Sequence, residues 1–159
     1  MKMVLEKAKH EDAKEILKLY EAQKGKGFCT WDEYYPSILN VKEDIDAECL
    51  FIYKKCGKII SAVSIAPQNE LDGYDVWKYK NSAEIARVCV SDEYKGNGLA
   101  YKMVSELIRV IKSKGFDAIH LSVAVRNVPA VKTYKKLGFD FLLETEMYDN
   151  IYCLCEKVI

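Results

Sequence analysis

Apolar residues recur every four positions at Leu99, Met103, Leu107 and Ile111, and Val104 and Ile108 widen the stripe. This spacing predicts a helix over residues 98–114, closed by the lysines and glycine of "KSKG". The same reading of the rest of the chain alternates strands with helices. "MVLEKA" is a short strand. From His10 to about residue 24, Ala13, Ile16, Leu17 and Tyr20 mark a helix with Glu11 and Asp12 in its first turn. "TWDEYYPS" is an aromatic connection, and "LNVKEDIDAE" a second short helix. "CLFIYKKCGKIISAVSIAP" reads as a hairpin turning at residues 55–57, followed by a polar loop, "QNELDGYDVWKYKNS". "AEIARVCV" and "AIHLSVAV" are strands, and simple alternation gives Glu84 the same face as Ala86, Val88 and Val90. Pro129 opens a short helix that runs through Leu137 and is capped by Gly138. The tail "FDFLLETEMYDNIYCLCEKV" is a hairpin around "DN". The 159 residues suit one mixed α/β domain.

Charge and composition remove several function classes. The 24 basic and 24 acidic residues balance, which leaves no electrostatic footprint for nucleic acid. The start of the chain turns charged at once, with neither an export signal nor a membrane span, so a cytoplasmic location is expected. The six cysteines are Cys29, Cys49, Cys56, Cys89, Cys153 and Cys155; none form a Cys-x-x-Cys pair, and they read as reduced, small apolar side chains. No metal-ligand cluster is visible, so no metal is expected.

The candidate chemistry lies where the strand "AEIARVCV" meets the helix at residue 98. A glycine-rich turn there aims several backbone N–H groups at one point, and the helix dipole adds positive potential, which suits phosphate. Gly96 and Gly98 let an anion approach the main chain, and Lys95 adds a positive side chain. The turn lacks the Gly-Lys-Ser/Thr of the P-loop. Tyr101 stands where the dinucleotide fingerprint needs a small residue.

"VCVSDEYKGNGLAYKMV" followed by "NVPAVKTYKKLGF" resembles the two signature motifs of the GCN5-related N-acetyltransferases, the GNAT family. The first motif is matched by Lys95, Gly96, Asn97, Gly98, Leu99 and Ala100, with lysine where the family prefers glutamine or arginine. The second is matched by Asn127, Ala130, Tyr134, Gly138 and Phe139. The resemblance implies a mixed sheet, mostly antiparallel, with a splayed parallel strand pair and about four flanking helices. It also implies acetyl-CoA as co-substrate. The backbone of residues 95–100 would wrap its pyrophosphate, and the edge of Val88, Cys89 and Val90 would pair with the pantetheine arm. Asn127 would hydrogen-bond that arm, and Tyr134 would approach the thioester sulfur and protonate the leaving thiolate. Glu84 matches the place of a base in the lysine-directed branch of the family.

Each of these residues also has a plainer role open to it. Tyr134 could be core packing, Asn127 a helix cap and Glu84 a solvated strand-end carboxylate. His120 reads as a packed core histidine, His10 as surface and Cys89 as inert packing. The acceptor side holds Trp31, Tyr34 and Tyr35, and with Asp32 and Glu33 they could receive a cationic amine or simply anchor the core. The function that follows is acetyl transfer from acetyl-CoA to a primary amine of a small molecule, by direct attack in a ternary complex. A protein acetyltransferase acting on lysine or an N-terminus, and a non-catalytic acyl-CoA-binding module, stay open as alternatives. Neither nucleic acid nor membrane is expected as a partner, and a homodimer is compatible with each reading.

Overall fold

The computed structural model describes residues 3–159 of the chain. In chain order the elements are β1 (Glu6–Lys7), α1 (Ala13–Glu21), α2 (Ile38–Asp46), β2 (Leu50–Lys55), β3 (Lys58–Ile65), β4 (Ser82–Val90), α3 (Leu99–Ser113), β5 (Ala118–Ala124), α4 (Val128–Lys136), β6 (Asp140–Met147) and β7 (Asn150–Val158). The predicted helices and strands are all present, with ends that move by a few residues. The first strand shrinks to two residues. A single 3-10 turn, His10–Asp12, precedes α1, where the Asp12 carboxylate accepts the Lys9 N–H at 2.8 Å. The last hairpin turns on Tyr148 and Asp149 rather than on Asp149 and Asn150. Both have positive φ, as a two-residue turn between twisted strands requires, and Met147 pairs with Asn150.

Among the described residues the strands form one seven-stranded sheet in the order β1-β2-β3-β4-β5-β7-β6. Every neighbouring pair is antiparallel except β4 and β5. Helices cover both faces. On one, α3 contributes Leu99, Met103, Val104, Leu107 and Ile111, and α4 contributes Tyr134, with Leu137 just past its end. They pack against Phe51, Val63, Ile85, Ile119, Leu121 and Val123 of the sheet. On the other face, Ile16, Leu19 and Tyr20 of α1 and Val41 and Ile45 of α2 pack against Leu50, Ile52, Ala62 and Cys89. No helix among the described residues is long and apolar enough to cross a membrane.

One irregularity in β4 sets the geometry of the candidate site. Ser64 pairs with Ala86 but Ala62 pairs with Cys89, so Arg87 and Val88 together oppose Val63. This is a β-bulge, and Arg87 carries its left-handed φ of 52°. The extra residue reverses the alternation. Ala83 and Ile85 share the α3 face with Val88 and Val90, whereas Cys89 joins the α1 face. Glu84, between Ala83 and Ile85, therefore points away from Val88 and Val90. This corrects the single face that simple alternation assigns to Glu84 and those valines.

Candidate active site

β4 and β5 pair only at Ser82–Ala118, Ala83–Ile119 and Glu84–His120. Beyond that point β4 stays with β3 and β5 stays with β7. Their facing edges, residues 85–90 and 121–124, have no strand between them. An extended ligand arm can enter this gap and satisfy exposed main-chain groups as an added strand would.

The turn from β4 into α3 closes one end of the gap. Gly96 and Gly98 have φ of 80° and 74°, values that an L side chain adopts at a cost. A Cβ on either would meet nothing within 4 Å, so the space before the turn is open. Leu99, Ala100 and Tyr101 form the first turn of α3, and the first intrahelical bond runs from Lys102 N–H to Gly98 C=O at 3.0 Å. The N–H groups ahead of it are the free donors of a helix start. Leu99 is buried and anchors the turn to the core. Asn97 braces it through Nδ2, which donates to the carbonyls of Tyr94 and Lys95 at 3.4 Å each. The Lys95 ammonium bonds Gln23 Oε1 and, at 2.9 Å, Asp92 Oδ1. Its positive charge is thus shared with a neighbouring carboxylate, and the backbone is the principal anion-facing element. This donor cradle, with open space where side chains would stand, fits a pyrophosphate.

Tyr134 lies on the α3 face of the gap, on α4, with its ring edge-on to Phe139 at 5.7 Å between centroids. It is buried, and burial, aided by nearby Cys155, pushes the phenol well above its ordinary range. The hydroxyl therefore keeps its proton at neutral pH, as a proton donor must. Asn127 caps α4, its Oδ1 accepting the Ala130 N–H at 3.3 Å. That leaves its amide NH₂ as a donor for a ligand.

Glu84 lies on the opposite face and is 8% exposed. Its Oε1 accepts the Leu71 N–H at 3.2 Å. Burial raises its pKa to about 7; Glu70 and Asp72 push in the same direction, while the Leu71 N–H and Arg87 oppose it. A carboxylate tuned to neutrality can take a proton at pH 7 and give it up again. Proton donor and acceptor candidates thus approach the gap from the two sides of the sheet.

The acceptor-side candidates are spread along the connection between α1 and α2. Trp31 is half-buried and packs edge-on against Tyr20 at 5.4 Å. Tyr34 is 77% exposed. The Tyr35 hydroxyl accepts from Arg87 Nη1 at 2.9 Å. Arg87 also grips the buried Asp44 of α2 with two bonds, Nε to Oδ2 at 2.8 Å and Nη2 to Oδ1 at 2.9 Å, and Ser64 Oγ donates to the same carboxylate at 2.6 Å. Further along, Cys29 C=O accepts from Arg126 Nη2 at 2.7 Å, and Thr30 Oγ1 bonds the Tyr152 hydroxyl at 2.8 Å. The connection therefore runs from the β4 bulge to the far ends of β5 and β7. Beside it, Val125, Arg126, Glu146, Asp149, Asn150 and Ile151 line a surface cavity of about 390 Å³.

Arg87 and Asp44 were not among the sequence candidates. The available signal was an arginine inside an otherwise apolar strand, which a bulge explains. Cys89 is buried, and burial raises its thiol to about 12, so it is not an activated nucleophile. His10 is exposed and bonds Asp46 at 2.7 Å.

The family described as the Acetyltransferase (GNAT) family matches residues 13–139. A mycothiol acetyltransferase of Corynebacterium aurimucosum is 30% identical over 101 residues, covering 62% of this chain and 32% of its own length. The thialysine N-epsilon-acetyltransferase of Bos taurus is 33% identical over 73 residues, covering 46% of this chain and 42% of its own. The chain thus spans less than half the length of these curated relatives. In three dimensions it is similar to a putative acetyltransferase from Salmonella typhimurium solved with acetyl-CoA. That likeness has a TM-score of 0.79 at 15% identity over 99% of this chain and 94% of that one.

Proposed function

Because the chain belongs to the acetyltransferase (GNAT) family, we propose that residues 1–159 act as one domain that transfers an acetyl group from acetyl-CoA to a primary amine. The acceptor is a small molecule, and attack is direct, within a ternary complex. The observation that carries this reading is the unpartnered gap between β4 and β5, with the donor cradle at one end. The cradle would hold the pyrophosphate, and the edge at Val88, Cys89 and Val90 would pair with the pantetheine arm beside the free amide of Asn127. Acetyl-CoA supplies the activated acyl thioester; the remaining tasks fall to this chain.

A free alkyl amine has a pKa of about 10 and is mostly protonated at neutral pH, so a base must first release its lone pair. Glu84 serves as that base. A main-chain N–H on the open edge of β4 stabilises charge on the carbonyl oxygen during attack. Tyr134 gives its proton to the departing thiolate. Trp31, Tyr34 and Tyr35 bound the acceptor's approach. Two of the relatives are named for small molecules, mycothiol and thialysine, which supports the small-molecule class. The six unpaired cysteines support a reducing, cytoplasmic setting.

The test measures thiol release from acetyl-CoA with spermidine, L-lysine and a peptide with a free N-terminus. Turnover with a small amine and intersecting initial-rate lines are expected. Turnover with the peptide alone overturns the small-molecule assignment. Parallel lines, or an acetyl-Cys89 adduct by mass spectrometry, overturn direct attack.

A further inference from the structure

Glu84 does not stand alone. It is in register with His120 across the last paired rung of β4 and β5, and His120 is in register with Glu156 of β7. Their strand neighbours Ala83, Ile85, Ile119, Leu121 and Cys155 belong to the α3-side core. The three titratable side chains therefore share the opposite face, in one row across the apex of the gap. His120 and Glu156 are each 2% exposed.

Residues 66–81, which contain no helix or strand, cover this row and are pinned by it. Leu71 N–H donates to Glu84, and the Trp77 indole N–H donates to Leu71 C=O at 2.8 Å. The Trp77 ring stacks on His120 with centroids 3.8 Å apart and planes 13° from parallel. Lys78 N–H and Tyr79 N–H donate to the two oxygens of Glu156, each at 3.2 Å. His120 Nε2 lies 2.7 Å from Glu156 Oε2. A carboxylate only accepts, so Nε2 carries the hydrogen and Nδ1 is left as the basic nitrogen.

Neither His120 Nδ1 nor Glu84 Oε2 has a hydrogen bond among the described residues, and neither belongs to the atoms sealed without a partner, which are Tyr20 OH, Tyr53 OH and Ser61 Oγ. Glu70 and Asp72 of the covering segment and Arg87 of β4 also face Glu84, and Asp140 of β6 is in register with Glu156. An apolar row would hold the sheet at least as well, because burying a paired charge recovers little more than its desolvation cost. Three titratable groups in consecutive register at the apex serve proton movement better than they serve packing.

We propose that His120 and Glu156 form the second stage of a proton relay that starts at Glu84. This rests on the acetyl-transfer reading above. The acceptor ammonium gives one proton to the Glu84 carboxylate and becomes a neutral amine. Through a water bridging the two unbonded atoms, Glu84 passes that proton to His120 Nδ1 and is again a carboxylate. The imidazolium is stabilised by Glu156 until water takes the proton. No carbon bond changes in these steps, and the row ends as it began. His120 touches neither reacting atom; it acts through Glu84.

The decisive variant is His120→Gln. The glutamine amide reaches the place of Nε2–H and keeps the bond to Glu156, but it has no basic nitrogen. With whichever of spermidine, L-lysine or the free peptide the parent acetylates, we expect turnover to fall about 10²-fold, the lower end for proton transfer. Melting temperature and acetyl-CoA affinity stay close to the parent's. In a second variant, His120→Ala, added imidazole restores turnover several-fold, which a packing role would not produce. His120→Gln at the parent rate overturns the relay, as does a folded His120→Ala that imidazole leaves unchanged. A parent that acetylates none of the three amines fails the acetyl-transfer reading first. An active parent with a fully active His120→Gln variant fails the relay alone.

Discussion

The two sides of the gap between β4 and β5 are built differently. The α3 side is regular: a strand, a glycine turn, a long amphipathic helix and a short capped helix, with its chemistry in main-chain N–H groups and one tyrosine. The other side is two irregular segments, residues 22–37 and 66–81, held by side-chain bonds between residues far apart in the chain. Arg87 reaches Tyr35 across 52 positions, Glu156 takes the Lys78 N–H across 78, and Thr30 meets Tyr152 across 122. A cradle made of backbone constrains the sequence only at the turn. A wall made of side-chain pairs is specified one long-range contact at a time, which leaves it freer to vary with the acceptor.

This contrast predicts that substitutions on the regular side cost turnover or acetyl-CoA binding, and that those that loosen the irregular segments cost stability and acceptor binding. The largest effect is expected at Tyr134. Tyr134→Phe keeps the ring against Phe139 and removes the proton, so kcat should fall on the order of 10²–10⁴-fold with acetyl-CoA affinity unchanged. A loss confined to the KM for the acceptor would move Tyr134 into a binding role and blur the division.

Next is Asp44→Ala, which leaves Arg87 buried without its carboxylate. A loss of about 3–5 kcal/mol is expected by denaturant unfolding. The double change Asp44→Leu with Arg87→Met should recover most of the stability, while the KM for the acceptor stays raised because Tyr35 has lost its partner. Full recovery of both would show that the Arg87 network holds the fold and nothing more.

A smaller, graded effect concerns pH. Glu84 must be ionised to accept a proton, and burial raises its pKa to about 7. The value of kcat/KM should therefore be flat above that pH and fall about tenfold per unit below it. Glu84→Gln should lower the plateau and remove this limb. A limb that persists in the variant assigns it to another group.

The smallest effect is Gly98→Ala. At a φ of 74° an added Cβ costs roughly 1 kcal/mol of stability, and it intrudes on the N–H cradle. The KM for acetyl-CoA should rise with little change in kcat.

The same contrast explains what could be read from the chain. The period-four stripe from Leu99, the turn glycines and the Pro129 helix are local patterns, and each produced its element. β4 defeated alternation at Arg87, because a bulge is decided by what the inserted residue can reach, here Asp44 and Tyr35 on other elements. His120 reads as core from its neighbours alone; its relation to Glu84 and Glu156 exists only once three strands are in register. The stretch from Gln68 to Ser82 has no periodicity to read, since its order comes from Glu84, His120 and Glu156 beneath it.

In the proposed complex, acetyl-CoA occupies the gap between β4 and β5 with its pyrophosphate on the backbone of residues 95–100. Amide hydrogen exchange of the intact chain, followed by mass spectrometry with and without acetyl-CoA, tests this without any knowledge of the acceptor. New protection is expected in peptides covering residues 85–101, from the open edge of β4 through the first turn of α3. Unchanged exchange there, while acetyl-CoA binds and protects some other part of the chain, would contradict it.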